Sequence, residues 1–486
     1  MSKTLQVNGD EAAVRFQRQR IAHWNRVGER REIHRRAGRF YQKELARYYK
    51  LMIPPGLRVL EVGCAQGDLL AALEPSVGVG VDFSGTMLKR ALDRHPRLRF
   101  VESDAHALAL GEKFDVIVLS DLINDLWDVH AVFDRLRTMA HSRTRLVVNT
   151  YNHLWEVPIT LSQHFGMSQP TLEQNWLTVE DVLNLLQLTG FEVIKYSREI
   201  LLPLYVPLLS RMANRFLAKV WPCSRFALTY FIVARPGGAF ARRDRRDAPI
   251  VSVIVPARNE AGNIEGVLAR TPEMGAGTEL VFVEGHSRDD TYATIERAMA
   301  AHPERKSTLI KQIGQGKGDA VRRGFAQARG EILMILDADL TVPPESLARF
   351  YEVLSSGSAE FINGVRLIYP LENQSMRFLN LIGNKFFSLA FSWLLGQPVK
   401  DTLCGTKILW KDDYELIAAN RGHFGDFDPF GDFDLLFGAA RLNLKIVDLP
   451  IRYRERTYGT TNIQRWRHGW LLLKMVIFAA RRIKFV

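Results

Sequence analysis

Short apolar runs alternate with longer amphipathic stretches along most of this chain. In the first half, the runs RVLEVGC, GVGVDFS, FDVIVLSDL and RLVVNTY indicate buried strands, and helical patterns lie between them. The run LTVEDVLNLLQLTGFEVIKYS adds a helix with Thr178 as its N-cap, Gly190 as its end and a further strand behind it. This alternation is typical of a parallel sheet with helices on both faces, and it predicts a doubly wound α/β fold.

The same alternation begins again near residue 249, with IVSVIVPA, TELVFVEG, GEILMILDADL and LKIVDLPIRYRER as strands. Before it, the stretch RPGGAFARRDRRDAP is rich in Gly, Arg and Asp and has no apolar period, which is typical of a linker. A chain of 486 residues is also longer than one hydrophobic core usually serves. We therefore predict two doubly wound domains, 1–235 and 249–486, joined by a linker at 236–248. Basic amphipathic helix is expected over residues 11–50.

The net charge of +12 is concentrated in the first 50 and the last 35 residues. Such a balance favours an anionic partner: nucleic acid, anionic lipid or a phosphorylated substrate. Nucleic acid is disfavoured, because the aromatic residues form no recognisable stacking motif. In the C-terminal tail, Trp466 and Trp470 alternate with Arg465, Arg467 and Lys474, which favours contact with an anionic membrane surface.

No run of ~18 clean apolar residues is present, so we predict no transmembrane helix. The N-terminus lacks the apolar region of a signal peptide. Cys64, Cys223 and Cys404 form neither a disulfide framework nor a paired zinc pattern. We expect a cytoplasmic protein that lies peripherally on the inner face of the plasma membrane.

Glycines and acids follow three successive strands of the first domain. Gly63 and Gly67, in VLEVGCAQGDLL, would let the backbone approach a ligand at a helix N-terminus. Asp82 ends the next strand, where an acid would meet ribose hydroxyls, and Asp104 follows the third strand. The glycines alone would fit an NAD site or a plain tight turn equally well. The two acids make cofactor binding the better interpretation.

These motifs resemble the class I S-adenosylmethionine-dependent methyltransferases over roughly residues 30–235. The resemblance implies a Rossmann-like fold and S-adenosylmethionine as cofactor, with Ala65 in place of the middle glycine of the first motif. The family's ligand contacts would then begin with Glu61, Gly63 and Gly67 in the first motif. Asp82 would contact the ribose, and Phe83, Asp104 and Ala105 would contact the adenine. Ser120 and Asp121 would lie near the methionine. His106, His130 and His153 are candidate bases, although each is more simply a surface or packed histidine.

In the second domain, Asp337 and Asp339 flank Ala338 at the end of a buried strand. Two carboxylates at one edge of a sheet repel each other unless a cation compensates. Mg²⁺ and Mn²⁺ prefer oxygen ligands and bind diphosphates well. The pattern predicts that Asp337 and Asp339 hold a divalent cation.

Further motifs surround this pair, among them PARNE, VFVEGHSRDDT, GKGDAVRRGF, DTLCGTKILW and a closing region around Arg456. From about Pro249 to about Arg467 they resemble family 2 glycosyltransferases with the GT-A fold, and among these the dolichol- or polyprenyl-phosphate sugar transferases. The resemblance implies a nucleotide-sugar donor and a polyprenyl phosphate or related glycan acceptor. Donor contacts would fall on Pro256, Asn259, Glu260, Glu284, Lys317, Asp337, Ala338 and Asp339. Acceptor contacts would fall on Arg366, Lys385, Asp401 and Arg456, with Asp432, Asp434 and Thr461 matching the closing region.

We therefore predict a bifunctional enzyme that combines metal-dependent, inverting sugar transfer with S-adenosylmethionine-dependent methylation in the same pathway. A lipid-phosphate acceptor needs no general base, whereas a hydroxyl acceptor would need one from Asp401, Asp432 or Asp434. Two alternatives stay open: a catalytically silent S-adenosylmethionine-binding module, and a nucleic-acid methyltransferase fused to a transferase. The sequence leaves open the sugar, the nucleotide, both acceptors, the oligomeric state and any coupling of the two sites.

Overall fold

Two seven-stranded sheets organise the part of the chain that the computed structural model describes, which is residues 2–29, 36–165, 171–238, 248–366, 378–421, 432–454, 456, 458 and 465–485. Each sheet belongs to one of two units, Met1–Ala241 (the first unit) and Arg242–Val486 (the second unit). Residues 239–247 of the predicted linker lie outside the described residues.

The sheet of the first unit has the strand order β3-β2-β1-β4-β5-β7-β6. Its strands are β1 (Arg58–Val62), β2 (Val77–Asp82), β3 (Arg99–Glu102), β4 (Phe114–Ser120), β5 (Ala140–Tyr151), β6 (Phe191–Glu199) and β7 (Thr229–Pro236). Its helices are α1 (Ser2–Gly28), α2 (Arg36–Met52), α3 (Asp68–Ala72), α4 (Gly85–Arg94), α5 (Val129–Arg137), α6 (Glu156–His164), α7 (Val179–Leu188) and α8 (Leu209–Arg215). Strand β7 runs antiparallel to both of its neighbours, β5 and β6.

The sheet of the second unit has the strand order β10-β9-β8-β11-β13-β12-β14. Its strands are β8 (Val251–Ala257), β9 (Thr278–Glu284), β10 (Ser307–Lys311), β11 (Ile332–Ile335), β12 (Phe361–Val365), β13 (Lys407–Trp410) and β14 (Ile446–Pro450). Its helices are α9 (Ile264–Arg270), α10 (Thr291–Ala301), α11 (Lys317–Gln327), α12 (Leu347–Ser355), α13 (Phe378–Leu395), α14 (Lys411–Ala419), α15 (Asp432–Arg441) and α16 (Arg465–Ala479). Strand β13 runs antiparallel to β11 and β12.

Central strands are apolar on both faces because helices cover both sides of each sheet. Along β8, Val253 and Val255 belong to one core cluster while Ile254 belongs to the other, since successive side chains point to opposite faces. All four residues of β11 are buried. This packing fixes the carboxyl ends of the central strands, where the chemistry-bearing residues lie.

The predicted fold class is confirmed, with two seven-stranded α/β sheets. Thr178 caps α7 through a capping box with Asp181, and Gly190 ends it with φ 76°. Strands β7 and β13 run antiparallel to their neighbours, whereas the sequence predicted parallel sheets. Strand direction depends on the connections between strands, and apolar periodicity does not report these connections. No described helix is both long and apolar enough to cross a bilayer.

Candidate functional site

The turn after β1 takes the backbone through three left-handed residues: Gly63 at φ 75°, Ala65 at φ 47° and Gly67 at φ 72°. A Cβ at Gly63 would approach Leu122 to 2.7 Å, and one at Gly67 would approach the Phe100 ring to 2.8 Å. Glycine is therefore required twice for both conformation and space. Ala65 adopts the same uncommon conformation at the expected middle glycine.

A buried acid, Glu61, and a half-buried acid, Asp82, lie behind this turn. Glu61 is 3% exposed, its Oε2 has no hydrogen-bond partner in the described part of the chain, and burial raises its pKa to about 8. Asp82 accepts hydrogen bonds from the backbone N–H groups of Ala65 and Ser84, each at 2.9 Å, and burial raises its pKa to about 6. Buried carboxyls with unused acceptor capacity suit a ligand that brings hydroxyl or amino groups. Phe83 lies half-buried between Asp82 and Ser84.

Asp104 follows β3 and caps the short 3₁₀ turn that starts at buried Ala105. Its carboxylate accepts from the His106 backbone N–H at 2.7 Å and from Nε2 of Gln17 at 2.7 Å. Burial raises the pKa of Asp104, but the hydrogen bonds from His106 outweigh it and the pKa is lowered. His106 also accepts from the backbone of Asp128, so both of its ring nitrogens are engaged.

Helix α1 lies across this edge of the sheet, which the sequence did not predict. Besides Gln17, Arg20 contacts Asp125 at 2.9 Å through Nε, and Trp24 donates to Asp125 at 2.8 Å through Nε1. Ser84 donates to Asn25 at 2.6 Å. The positions 17, 20 and 24 share one helix face, and this spacing was the available signal for the contact.

Ser120 ends β4, and Asp121 follows it with φ 51°. The Asp121 carboxylate accepts from Tyr41 Oη at 3.0 Å and from the side-chain amide of Asn149. Burial raises the pKa of Asp121 to about 6. Tyr41 and Asn149 were missed because they come from α2 and β5, far from the motif in sequence.

In the second unit, the acids after β11 are each paired with a cation. Lys317 Nζ lies 2.6 Å from Oδ1 of Asp337, and Arg456 Nη2 lies 2.7 Å from Oδ2 of Asp339. Arg456 Nη1 also lies 3.1 Å from Oε1 of Glu260. Three segments therefore meet at one place: the start of α11, the acids at the end of β11 and residue 456. The resemblance had assigned Arg456 to the acceptor.

These pairs set the charge of the acids. Burial raises the pKa of Asp337, but the ammonium of Lys317 outweighs it and the pKa is lowered. For Glu260 burial prevails over the attraction of Arg456, and the pKa is raised. Asp337 is thus held ionised, as a carboxylate must be to bind a cation.

The DTLCGT motif touches the same acids. A Cβ on Gly405 would come within 2.0 Å of Lys317 Nζ and 2.2 Å of Asp337 Oδ2, so a larger residue there would have to displace one partner of this pair. The neighbouring Cys404 is buried, and burial raises the pKa of its thiol, as expected of a packed residue.

Arg366 and Asp401 form a buried bidentate pair. Nε and Nη2 of Arg366 lie 2.7 and 2.9 Å from the two carboxylate oxygens, and the Arg366 backbone N–H donates to the same carboxylate at 3.1 Å. The Asp401 side chain is 0% exposed. Both oxygens of Asp401 therefore accept from Arg366 and hold its guanidinium in place, and a role of Asp401 at the acceptor stays a prediction.

The donor-side loops are tied together by backbone bonds. Asn259, at φ 57°, accepts from the Arg288 N–H at 2.7 Å, and its own N–H donates to Ser287 Oγ at 3.0 Å. Glu284 accepts from the Ser287 N–H at 2.5 Å. Pro256 ends the apolar part of β8, half-buried, and Ala338 is buried between the two acids.

Three predicted residues do not join this cluster. Lys385 lies exposed on α13, with no hydrogen bond or ion pair in the described residues. Asp434 is buried on α15 and lies 2.6 Å from Nε of Arg421. Asp432 begins α15, but its side chain lies outside the described residues, as does Thr461.

Two residues of the second unit were not predicted. Lys407 in β13 is fully buried and donates to the Cys404 carbonyl. The ring of Tyr458 lies against Gly262, where a Cβ would approach it to 2.5 Å. The Gly262–Tyr458 contact has no spacing signal because it joins segments that are distant in sequence, whereas Lys407 donates to a carbonyl only three residues before it.

No described group of three or more His, Cys, Asp and Glu side chains is arranged to hold a metal by itself. The donor set at Asp337 and Asp339 is two carboxylates. Mg²⁺ is commonly held by one or two carboxylates plus substrate phosphates and water. The residues therefore fit a cation that arrives with a diphosphate.

Comparison with known proteins assigns both halves. The family model described as Glycosyl transferase family 2 matches residues 252–412, and the one described as Methyltransferase domain matches residues 31–196. The dolichol-phosphate mannosyltransferase of Pyrococcus furiosus is 34% identical over 247 residues, covering 48% of this chain and 67% of that protein.

Two further similarities complete this comparison. The low-salt glycan biosynthesis hexosyltransferase Agl6 of Haloferax volcanii is 26% identical over 238 residues, and the match spans 48% of this chain and about half, 54%, of Agl6. The structure of magnesium protoporphyrin IX methyltransferase from Synechocystis PCC 6803, with bound SAH, aligns with a TM-score of 0.32 at 16% identity, covering 47% of this chain and 99% of that chain.

Proposed function

The chain belongs to glycosyl transferase family 2 and carries a methyltransferase domain, and we propose that it is a bifunctional enzyme of lipid-linked glycan assembly. The second unit transfers one sugar, with inversion, from a nucleoside diphosphate to a polyprenyl phosphate or a related glycan acceptor. The first unit methylates a molecule of the same pathway. The dolichol-phosphate substrate named for the Pyrococcus relative supports the choice of acceptor.

The observation that carries this proposal is that both acids after β11 form ion pairs. Lys317 and Arg456 neutralise Asp337 and Asp339 from two different segments. An entering diphosphate offers both cations a better partner, because Lys and Arg bind phosphate oxygens strongly. Asp337 and Asp339 would then hold Mg²⁺ or Mn²⁺, which supplies neutralisation of the leaving diphosphate.

The remaining donor contacts follow from the loops beside this cluster. Pro256, Asn259, Glu260 and Glu284 lie on the ends of β8 and β9 and would frame the nucleoside. The hydrogen bonds of Asn259 with Ser287 and Arg288 fix the two loops against each other, so the nucleoside would meet a preformed surface.

The transfer itself exchanges one bond for another. A phosphate oxygen of the acceptor forms a bond to the anomeric carbon of the sugar, while the bond from that carbon to the donor diphosphate breaks. The electron pair of the broken bond leaves with the nucleoside diphosphate, and attack from the opposite face inverts the anomeric centre. The acceptor phosphate is ionised near neutral pH, so no proton has to be removed.

Arg366 would bind the acceptor phosphate. Asp401 holds its Nε and Nη2, and no hydrogen bond of Nη1 is seen in the described residues. Holding the guanidinium in one orientation before the acceptor arrives lowers the entropy cost of binding. Lys385, exposed on α13, would add a second cation if that helix faces the acceptor.

A hydroxyl acceptor would instead require a general base. Asp401 is buried, and Arg366 outweighs that burial and lowers its pKa, so it is a weak base. Asp434 is held by Arg421. This pairing favours the phosphate acceptor. Asp432→Asn tests the alternative, since lost transfer with intact donor binding would indicate a base at that position.

For the first unit, Glu61, Gly63, Gly67, Asp82, Phe83, Asp104, Ala105 and Ser120 would hold S-adenosylmethionine, which supplies an activated methyl group. The orphaned Oε2 of Glu61 and the left-handed glycine turn fit such a ligand. The chain's part is to hold the donor in line with a nucleophile. The Asp121 carboxylate, which follows Ser120 and accepts from Tyr41, would accept the proton that the nucleophile loses.

The test measures nucleoside diphosphate release with Mn²⁺ or Mg²⁺, a panel of nucleotide sugars and a polyprenyl phosphate. We expect release that depends on the lipid and falls about 10²–10³-fold in Asp339→Asn. Asp93→Asn, the same change on an exposed position of α4, should leave release unchanged. Lipid-independent release would contradict the acceptor, and no release with any donor would contradict the transfer.

A further inference from the structure

The connection between β6 and β7, residues 200–228, turns its large apolar side chains outward; we call it the β6–β7 segment. Leu208 is 74% exposed, Trp221 71%, Tyr205 62% and Phe226 60%. Seven more apolar side chains of the segment are exposed: Leu204, Val206, Leu209, Met212, Phe216, Leu217 and Val220. A concentration of this kind marks an interaction surface and not an ordinary loop.

Three polar side chains of the segment, Ser210, Asn214 and Lys219, face inward and organise it. Ser210 is buried and accepts from the Val206 N–H at 2.7 Å. Asn214 is buried, accepts from the Leu202 N–H at 2.8 Å and donates to the Leu202 carbonyl at 3.0 Å. Lys219 is buried in an ion pair with an acid of β6. The usual pattern is reversed, so the outward apolar side is the surface that the folded segment builds.

The most exposed side chain is also held by an unusual backbone. Leu208 has φ 61° and ψ −48°, and the Leu209 N–H donates to the Pro207 carbonyl at 2.7 Å, which closes a tight three-residue turn. Such a conformation is uncommon for leucine and persists only where the surroundings fix it. The turn points a large apolar side chain into solvent at an energetic cost.

The charge of the segment selects the kind of partner. Between Ile200 and Leu228 the sequence has no Asp or Glu, whereas it has Arg211, Arg215, Lys219 and Arg225. Arg211 and Arg225 are exposed. Apolar and aromatic side chains mixed with cations are typical of surfaces that lie in the headgroup region of an anionic bilayer.

The segment also borders the methyl-transfer site. Strand β7 begins with Thr229, whose Oγ1 lies 3.2 Å from Tyr41 Oη. The Tyr41 hydroxyl donates to Asp121. The ring of Tyr205 packs against Phe40 at a centroid distance of 5.5 Å. The apolar surface and the group placed to meet the methyl acceptor therefore share one edge of the sheet.

We propose that the β6–β7 segment is a membrane-docking surface, which seats the first unit on an anionic lipid bilayer. The docking stands independently of both transfer reactions. If the proposed methyl transfer holds, the same geometry makes a lipid-borne molecule the acceptor that the site can reach.

The first experiment reports on this surface alone, even if α16 also binds lipid. An environment-sensitive fluorophore is attached at Leu208→Cys, or at Leu188→Cys as the control, in the full chain carrying Cys223→Ser. Leu188 is 65% exposed on α7, outside the segment, and Cys64 and Cys404 are buried. With phosphatidylcholine–phosphatidylglycerol vesicles, we expect a blue shift and a severalfold intensity rise at position 208 only. Equal responses at both positions, or none at 208, would overturn the proposal.

The second experiment measures vesicle sedimentation of Leu208→Glu/Trp221→Glu against Leu188→Glu. We expect the double variant to partition about tenfold more weakly or worse, and Leu188→Glu to behave as the wild type. S-adenosylmethionine binding and the melting temperature check that the variants fold. Unchanged partitioning, or a change of particle mass in solution without a change in partitioning, would overturn the proposal, the latter by identifying a contact between copies.

Discussion

In the first unit, Glu61 is buried and Asp82 and Asp121 are half-buried, none of them with an ion pair in the described residues, and burial raises the pKa of each. In the second unit, Asp337 is half-buried and Asp401 fully buried, but Lys317 and Arg366 outweigh the effect of burial and lower their pKa values. The first set is therefore adapted to receive a ligand's own donors. The second set is charged and already compensated, as suits a site where an anion and a cation bind together.

The largest effect is expected from breaking the compensation in the second unit. Asp401→Asn leaves the Arg366 guanidinium buried without its carboxylate, which should lower the free energy of unfolding by about 3–5 kcal/mol. Denaturant unfolding of the second unit measures it. The double variant Arg366→Met/Asp401→Asn should recover much of this loss, because no unpaired charge remains. A single-variant cost as small as that of a surface pair would contradict the comparison.

The second-largest effect is expected from pH, which should change the stabilities of the two units differently. The pKa of Glu61 rises from 4.5 to about 8 on folding, so the unfolded chain releases this proton first. This titration alone should therefore lower the stability of the first unit between pH 5 and pH 7 by about 2–3 kcal/mol at 1.36 kcal/mol per pKa unit, and the raised pKa values of Asp82 and Asp121 add to the fall. The lowered pKa of Asp401 acts in the opposite direction, and its stabilisation is lost only in acid below its ordinary value.

Amide hydrogen exchange resolved by peptide checks this prediction, with protection factors compared at the two pH values. Protection in the first unit should fall from pH 5 to pH 7, while protection in the second unit stays level. Glu61→Gln should remove about half of the dependence, because Asp82 and Asp121 titrate over the same range, and Glu74→Gln, on an exposed acid, should leave it intact. A first unit that gains protection over this range would refute the role of burial.

Gly405→Ala tests whether the Lys317–Asp337 ion pair is needed in the glycosyltransferase site. The new Cβ would enter the space of the Lys317–Asp337 pair and displace one partner, so transfer should fall about 10²-fold. Gly383→Ala is the matched control, because a Cβ there meets nothing within 4 Å and α13 tolerates alanine. Equal activity of the two variants would show that the pair is not needed.

The site residues that the sequence identified are those at strand ends. Gly63, Asp82, Asp337 and Asp339 follow apolar runs directly, and parallel strands bring such positions to one edge. Their partners could not be predicted in the same way. The contacts of Gln17 with Asp104 and of Arg456 with Asp339 join segments 87 and 117 residues apart, and no spacing rule covers such distances.

Strands β7 and β13 were not predicted, and their antiparallel direction could not have been predicted either. Both strands are apolar runs like their neighbours, and periodicity reports burial but not direction. The outward apolar side of the β6–β7 segment was visible in sequence only as an apolar run. Which side faces solvent depends on Ser210 and Asn214, whose inward hydrogen bonds become apparent only in the folded segment.

The central claim is that one chain carries two separate binding sites whose acids work differently. Calorimetric titration of the wild type, Glu61→Gln and Asp339→Asn tests it, with S-adenosylmethionine as one ligand and UDP or GDP in Mn²⁺ as the other. We predict that Glu61→Gln weakens only S-adenosylmethionine binding and Asp339→Asn only nucleotide binding, each about tenfold or more. Loss of both ligands in either variant, or unchanged binding of each variant's own ligand, would contradict the account.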